Sequence, residues 1–188
     1  MRQTSYSAKR VVNAYAVLAA ASARTLTNAK DSREGQYYNI MASMLFSAFS
    51  LEAYLNHLGS KVQTGWDIVH RKLSTGQKLD LLSKVIGYTV DTGHRPFQTF
   101  GAIFKFRNAI VHAKPFSAQV SEGWDVASPD VPPELKAPWE RLMTLDQAQR
   151  FYDDALDMVD ALQQRAFDES VDWTLQGTVG WGPPPSTI

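Results

Sequence analysis

Apolar residues recur along the chain at intervals of three and four positions, the spacing of helices that bury one face. This pattern predicts five helices, over residues 8–30, 36–58, 76–87, 96–113 and 144–168. No segment shows a convincing alternation of apolar and polar residues, which a half-buried strand requires. The sequence therefore predicts an all-α fold, an antiparallel up-down bundle of four or five helices.

The second predicted helix is apolar on more than one face. A helix of this kind packs against neighbours on several sides, so we expect it at the centre of the bundle. Gly35 precedes it, and Gly59 is expected to end it. Its apolar positions are Ile40, Met41, Met44, Leu45, Phe46, Phe49, Leu51, Tyr54, Leu55 and Leu58.

Polar residues and prolines mark the ends of the other predicted helices. Ser74 or Thr75 is placed to cap the third helix at its N-terminus. Thr144, with Gln147 at the third helical position, fits a capping box at the start of the last helix. Pro115 disfavours helical geometry at the residue before it and is expected to end the fourth helix.

Prolines between residues 115 and 143 predict a loop-rich insertion within a single domain that covers residues 1–170. Trp124 and Trp139 lie in this insertion, and we expect them to hold it against the bundle. Residues 171–188 include three consecutive prolines and are expected to form an extended C-terminal tail.

The first apolar stretch has two interpretations. Basic residues precede it, and Ala21-Ser22-Ala23 resembles a signal-peptidase site. Asn13 and Tyr15 interrupt the apolar run, however, so we prefer a first bundle helix and expect a cytoplasmic protein. No apolar run reaches the roughly 18 residues that a membrane span needs, and no membrane partner is expected.

Charge is distributed unevenly, although the formal net charge is zero. Residues 1–60 carry six basic and three acidic residues, residues 61–114 nine and three, and residues 115–188 four and thirteen. A polyanion could dock on the basic middle third, or the acidic last third could neutralise it within one fold. The absence of cysteine excludes thiol catalysis, disulfides and cysteine-ligated zinc.

The segment Arg107–His112, at the end of the predicted fourth helix, combines a cation, an amide and a titratable imidazole. Arginine can hold a phosphate with a planar fork of donors, and histidine can transfer a proton near neutral pH. Asn108 and His112 are four residues apart, so the amide can orient the imidazole. Arg107 and His112 lie about 140° apart around the axis. Arg107 must therefore reach round the helix, or the pair must form across a second copy of the chain. The alternative is an ordinary basic helix end.

Glu52 is the second unusual residue, because it lies within the most apolar helix, one turn before Asn56. A buried carboxylate needs a partner, and Arg107 is the candidate. Alternatively, Glu52 faces solvent at an edge of the bundle. Lys105 and Lys114 flank the arginine and histidine and are expected to contact the substrate.

Other titratable residues predict no further site. His57, His70 and His94 show no metal-ligand spacing. The acidic run Asp153, Asp154, Asp157 and Asp160 is expected mostly on the outer face of the last helix, as a solvated surface rather than a cation site. We expect neither a metal nor a cofactor.

The Arg-Asn-x3-His pattern at Arg107–His112 resembles the R-x(4–6)-H signature of HEPN domains, in which a polar residue often follows the arginine. The segment Phe49–Asn56 resembles the family's second helix, and the Lys78-Leu79 segment and the last helix fit the same plan. The resemblance covers about residues 8–114 and 144–168.

This resemblance implies a bundle that dimerises and brings two motifs together across a cleft. Many such domains are metal-independent endoribonucleases of toxin–antitoxin, phage-defence or RNA-processing systems. In that case His112 would be the general base for a ribose 2′-hydroxyl, Arg107 would stabilise the phosphorane-like transition state, and Asn108 would orient the histidine or the phosphate. The products would be 2′,3′-cyclic phosphate and 5′-hydroxyl ends. Other members are non-catalytic modules that would bind a nucleotide, RNA or a protein.

The chain departs from the family at two places. Members silenced by a nucleotidyltransferase partner often carry tyrosine two positions after the histidine, where this chain has Lys114. Control by tyrosine modification is therefore not expected, although an antitoxin or another regulatory protein remains a candidate partner. The insertion at 115–143 and the C-terminal tail lie outside the compact pattern and could cover the cleft or bind a partner.

Overall fold

A computed structural model describes residues 12–119, 135–169 and 171 of the chain. Within these ranges the regular structure is helical and contains no strand, so the all-α prediction is confirmed there. Short 3₁₀ turns occur at His70–Lys72, Phe97–Thr99 and Glu140–Leu142. The α-helices are α1 (Ala14–Asp31), α2 (Gln36–Val62), α3 (Trp66–Val69), α4 (Thr75–Val85), α5 (Phe100–Val111) and α6 (Leu145–Phe167).

Helix α2 lies at the centre of the bundle, as its apolar surface predicts. It contacts α1, α4, α5 and α6. Six of its hydrophobic side chains are completely buried, because neighbours cover the helix on several sides. These are Met44, Ala48, Leu51, Tyr54, Leu55 and Leu58. Facing them on α6 are the buried residues Phe151, Met158, Val159 and Leu162.

Helices α1 and α2 form an antiparallel pair joined by buried hydroxyl groups. The Ser22 hydroxyl on α1 lies 2.8 Å from the Ser47 hydroxyl on α2 and also donates to the Ser43 carbonyl at 2.9 Å. Near the other end of the pair, the Ser50 hydroxyl donates to the Tyr15 carbonyl at 2.8 Å. Small side chains let the two backbones approach, and each buried hydroxyl has a partner.

Helix α6 runs in the same direction as α2. Near the start of α2, Tyr37 donates a hydrogen bond to Glu140, just before α6; near its end, Tyr54 donates to Gln163 of α6. Helix α5 runs the opposite way along α6: Thr99, just before α5, bonds to Asp154, whereas Phe106, later on α5, contacts the earlier Phe151. The direction alternates through α1, α2, α5 and α6, which is the expected up-down order.

A buried carboxylate anchors the start of α5 on α6. Asp154 is fully buried, and its oxygens accept hydrogen bonds from Arg95 Nε at 2.8 Å and from the Thr99 hydroxyl. Arg95 Nη2 lies 2.7 Å from the same carboxylate. The prediction that Asp154 lies with the acidic outer face is therefore wrong. Donors from the turn before α5 compensate its charge inside the core.

Several helix ends differ from the prediction. Helix α1 begins at Ala14, since Val12 and Asn13, which are predicted as helical, are not. Helix α2 continues through Gly59 to Val62, and the missing side chain at Gly59 leaves room for the indole of Trp66. Trp66 belongs to the short helix α3, which the apolar spacing does not predict. Helix α5 begins at Phe100 after a 3₁₀ turn and ends at Val111, so that His112 is its C-terminal cap.

The capping residues are largely as predicted. Ser74, rather than Thr75, caps α4 in a complete capping box: its hydroxyl accepts from the Gln77 amide, and the Gln77 side chain accepts from the Ser74 amide. At α6 the Thr144 hydroxyl accepts from the Gln147 amide at 3.1 Å. The return bond is absent there, since the Thr144 amide donates to Leu142.

Some expectations fall partly or wholly beyond the described ranges. Trp139 is half-buried and packs against the core, as expected for a residue that holds the insertion in place. Trp124, the first eleven residues and the tail after Val171 lie outside the described part of the chain. Within that part, no helix combines the length and the apolar character needed to cross a membrane.

The contact between Gly59 and Trp66 is directly testable. A methyl group at Gly59 would overlap the Trp66 ring, so we expect Gly59→Ala to lower the free energy of unfolding by about 1–3 kcal/mol. The loss should appear although alanine favours a helix by up to about 1 kcal/mol. Urea denaturation measures it. Gly76→Ala is the matched control, because nothing lies within 4 Å of the added group. Equal stability of both variants would contradict the packing of α3 on α2.

Candidate functional site

Arg107 lies on the inner side of α5, where its guanidinium is held from three directions. Its Nη2 donates to Glu52 Oε2 on α2 at 2.5 Å, which is the contact predicted from the position of Glu52. Its Nη1 donates to Asn108 Oδ1 at 2.8 Å. The guanidinium also lies over the ring of Phe104, 5.6 Å from the ring centre. These contacts fix the plane of the guanidinium before any ligand binds.

Glu52 has a second cationic partner, Lys78 of α4. Lys78 Nζ lies 3.5 Å from Glu52 Oε1 and donates to Asn56 Oδ1 at 2.9 Å. The Lys78 side chain is 6% exposed, that of Glu52 28% and that of Arg107 19%. One carboxylate therefore lies between two cations that come from different helices. We call Glu52, Lys78 and Arg107 the ion-pair cluster; it joins α2, α4 and α5.

Arg107 keeps unused donor capacity. A guanidinium has five N–H groups, and the hydrogen bonds to Glu52 and Asn108 use one on each terminal nitrogen. Its Nε is buried and has no hydrogen-bond partner among the described residues. A buried N–H without a partner costs about 1–3 kcal/mol, so its presence calls for an explanation. A ligand cannot supply that partner, because the protein covers Nε; an anion would accept instead from the second N–H groups of Nη1 and Nη2.

His112 stands apart from Arg107. It caps the C-terminus of α5, where its amide donates to the Asn108 carbonyl at 3.0 Å and its side chain is exposed. The structure shows no hydrogen bond between the side chains of Asn108 and His112, and the Asn108 amide oxygen accepts from the adjacent Arg107. Within the described part of one chain, no hydrogen bond joins the side chains of Arg107 and His112.

The solvent-facing side of α5 carries the other predicted substrate contacts. Lys105, Asn108 and His112 are exposed and spaced three and four residues apart, so they lie on one face of the helix end. Lys114 is exposed in the extended segment that follows. This outer face is basic, and the inner face with Arg107 packs against α2.

Lys78 is the member of the site that the sequence reasoning did not assign to it. The lysine occupies the inner stripe of α4, one turn before the fully buried Leu82, where an apolar residue is expected. A charged residue on a buried stripe requires a counter-charge. A lysine on the apolar stripe of a predicted helix is therefore the feature of the sequence that points to Lys78.

The remaining histidines pack against aromatic rings or a carboxylate. His57 lies against the ring of Tyr15, and burial, with a smaller effect of Lys61, lowers the pKa of its imidazole. His70 stacks on Trp66. His94 Nδ1 lies 2.7 Å from Asp91. In residues 12–119 and 135–169, no group of three or more histidine, aspartate or glutamate side chains could hold a metal ion.

The outward acidic face of α6 has one exposed carboxylate, Asp157, with Asp153 and Asp160 partly covered. Partial burial raises the pKa of Asp157, and the neighbouring carboxylates, Asp154 first, raise it further. The like charges along α6 thus add to the effect of burial.

The chain was compared with protein-family models, with curated proteins and with solved structures. None of the three comparisons finds a match. Function is therefore inferred from the geometry of the site.

The ion-pair cluster predicts a specific loss of stability. Glu52→Gln leaves two partly buried cations without their counter-charge, so we expect the free energy of unfolding to fall by about 1–3 kcal/mol, less than for a fully buried pair. Urea denaturation measures the change. Asp80→Asn is the matched control, because Asp80 pairs with Lys84 on the surface of α4 and such pairs contribute about 0–1 kcal/mol. Equal losses in the two variants would show that the cluster behaves as a surface pair.

Proposed function

We propose that this chain is a HEPN-like, metal-independent endoribonuclease that acts as a homodimer, in a toxin, defence or RNA-processing context. The observation that carries the proposal is the combination of a fixed arginine and an exposed histidine on one short helix. Arg107 is held by Glu52 and Asn108 and keeps donors for a phosphate. His112 follows five residues later and is open to solvent.

In the proposed reaction His112 removes the proton from a ribose 2′-hydroxyl, and the 2′ oxygen attacks the adjacent phosphorus. The bond between phosphorus and the 5′ oxygen breaks, and that oxygen takes up a proton as it leaves. Arg107 stabilises the negative charge that develops on the phosphoryl oxygens. The products carry 2′,3′-cyclic phosphate and 5′-hydroxyl ends. Lys105 and Lys114 contact the neighbouring phosphates of the strand.

The separation of the two key residues is the observation that supports a homodimer. Arg107 faces α2, whereas His112 projects from the end of α5 into solvent. The outer face of α5 at Lys105, Asn108 and Ala109 is also exposed. A second α5 that packs on this face would bring the histidine of one chain towards the site of the other. The working pair would then come from two copies.

A non-catalytic binding module is the second candidate. It is favoured by one contact: Asn108 bonds to Arg107, so the described structure contains no side chain that orients the imidazole of His112. A general base must be aligned with the proton that it removes, whereas an anion-binding site needs only its cations in place. Such a module would hold a nucleotide, RNA or an acidic protein segment at Arg107 with the help of the two flanking lysines.

Substitution of the histidine separates the two candidates. We expect wild-type protein to cleave a labelled mixed RNA in EDTA to fragments with cyclic-phosphate ends, and His112→Ala to lose this activity by at least about 100-fold, because the general base is gone. His94→Ala is the control, since the His94 side chain is exposed and its ring pairs with Asp91 within its own turn. Cleavage that survives in His112→Ala would exclude His112 as the base. RNA binding without cleavage by wild type would favour the module.

Binding measurements test the arginine under both candidates. We expect Arg107→Ala to weaken RNA binding by about 1–3 kcal/mol and to reduce the salt dependence of the affinity by about one phosphate contact. Fluorescence anisotropy over a salt series measures both quantities. Lys84→Ala removes a cation from the exposed surface of α4 and is expected to have a small effect. An unchanged affinity and salt slope in Arg107→Ala would place the anion site elsewhere.

A further inference from the structure

We infer that Lys78 is a positioning residue that sets the net charge of the Arg107 site through Glu52; this inference rests on the proposed function. Lys78 cannot itself take part in substrate contact, because its side chain is 6% exposed and its ammonium is turned towards α2. Its effect on a bound phosphate must therefore pass through the carboxylate that it shares with Arg107.

The argument begins with the charge of the cluster. A carboxylate that paired with Arg107 alone would cancel the charge of the guanidinium and weaken its attraction for a phosphate. Glu52 instead presents Oε2 to Arg107 at 2.5 Å and Oε1 to Lys78 at 3.5 Å. Two cations share one anion, and the cluster keeps a net charge of +1. The fixed arginine thus remains attractive to a phosphate.

Asn56 supports this arrangement without changing the charge. The Lys78 ammonium donates its shorter hydrogen bond, 2.9 Å, to the neutral amide oxygen of Asn56. A second carboxylate at that position would have neutralised the lysine. The amide satisfies a donor of the ammonium and holds it beside Glu52, while the positive charge is retained. Partial burial strengthens the effect of this charge on a bound phosphate, since interactions among partly buried groups are screened less by salt.

The charge argument makes a prediction that a purely structural role does not. Lys78→Met reduces the net charge of the cluster to zero, and we expect about tenfold weaker binding of a phosphodiester strand. Adding Glu52→Gln to that variant returns the net charge to +1, so the double variant should bind more tightly than Lys78→Met. If Lys78 only tied α4 to α2, removing a second member of the cluster would not restore binding.

The experiment measures the affinity of a short fluorescein-labelled 2′-O-methyl RNA, which lacks the attacking hydroxyl and is not cleaved. Wild type, Lys78→Met, Glu52→Gln and the double variant are compared by anisotropy over a salt series. Lys78→Gln, alone and with Glu52→Gln, repeats the test with a side chain that can still bond to Asn56. The matched control is Lys84→Gln with and without Asp80→Asn, the same change of charges in the exposed pair on α4.

The expected result is weak binding by Lys78→Met and Lys78→Gln, recovery in both double variants, and little change in the control series. Wild-type affinity in both single variants of Lys78 would overturn the role of Lys78 while leaving RNA binding by the protein intact. Double variants that bind no better than the single ones would overturn it too, because shape rather than charge would then decide. A wild-type protein that does not bind the RNA would overturn the proposed function itself, together with this inference.

Discussion

The carboxylate of Glu52 is the constraint on which the candidate site depends. It lies on the most apolar helix, where an unpaired charge would be costly, so the fold must bring cations to it. Arg107 arrives from α5 and Lys78 from α4, and both lose exposure in doing so. Because Glu52 needs both cations, it helps to determine where α4 and α5 pack on α2. The same contact fixes the guanidinium in place, which links the packing of the bundle to the chemistry that its surface offers.

Helix α5 is held by carboxylates at two points along its length. Asp154 of α6 binds Arg95 and Thr99 just before the helix begins, and Glu52 of α2 binds Arg107 near its end. Arg107 lies eight positions after Thr99, about 12 Å further along the helix axis, so the two contacts restrict both the position of α5 along its axis and its rotation. Apolar contacts alone, such as Phe106 on Phe151, would allow small rotations at little cost. The contacts to Asp154 and Glu52 restrict this rotation and so help to determine which residues of α5 face outward.

Much of this arrangement follows from the sequence, because it depends on local signals. A few neighbouring residues are enough to predict three of its features. These are the apolar surface of α2, the caps at Ser74 and Thr144, and the need of Glu52 for a cation. The failures arise where a distant residue decides. Periodicity places Asp154 at the edge of an acidic face, and only the turn at Arg95 makes burial favourable. Gly59 is typical of a helix end, but the helix continues through it and Trp66 packs in the space beside the glycine. Asn108 was expected to bond to His112, four residues later, and spacing does not show that the adjacent arginine would bond to it.

The two residues of the candidate site meet opposite physical requirements. An arginine that stabilises developing charge is most effective when it is fixed beforehand, since no energy is then spent on reorienting it during the reaction. Arg107 has this property because Glu52, Asn108 and the ring of Phe104 hold it. A histidine that moves protons must instead reach the substrate, and His112 is exposed at the end of the helix, where the last backbone groups lack helical partners. Under the proposed function, the chain supplies a fixed arginine and an exposed histidine. A second chain or a bound strand would then have to orient the imidazole, because no hydrogen bond joins the Asn108 side chain to it in the described part of the chain.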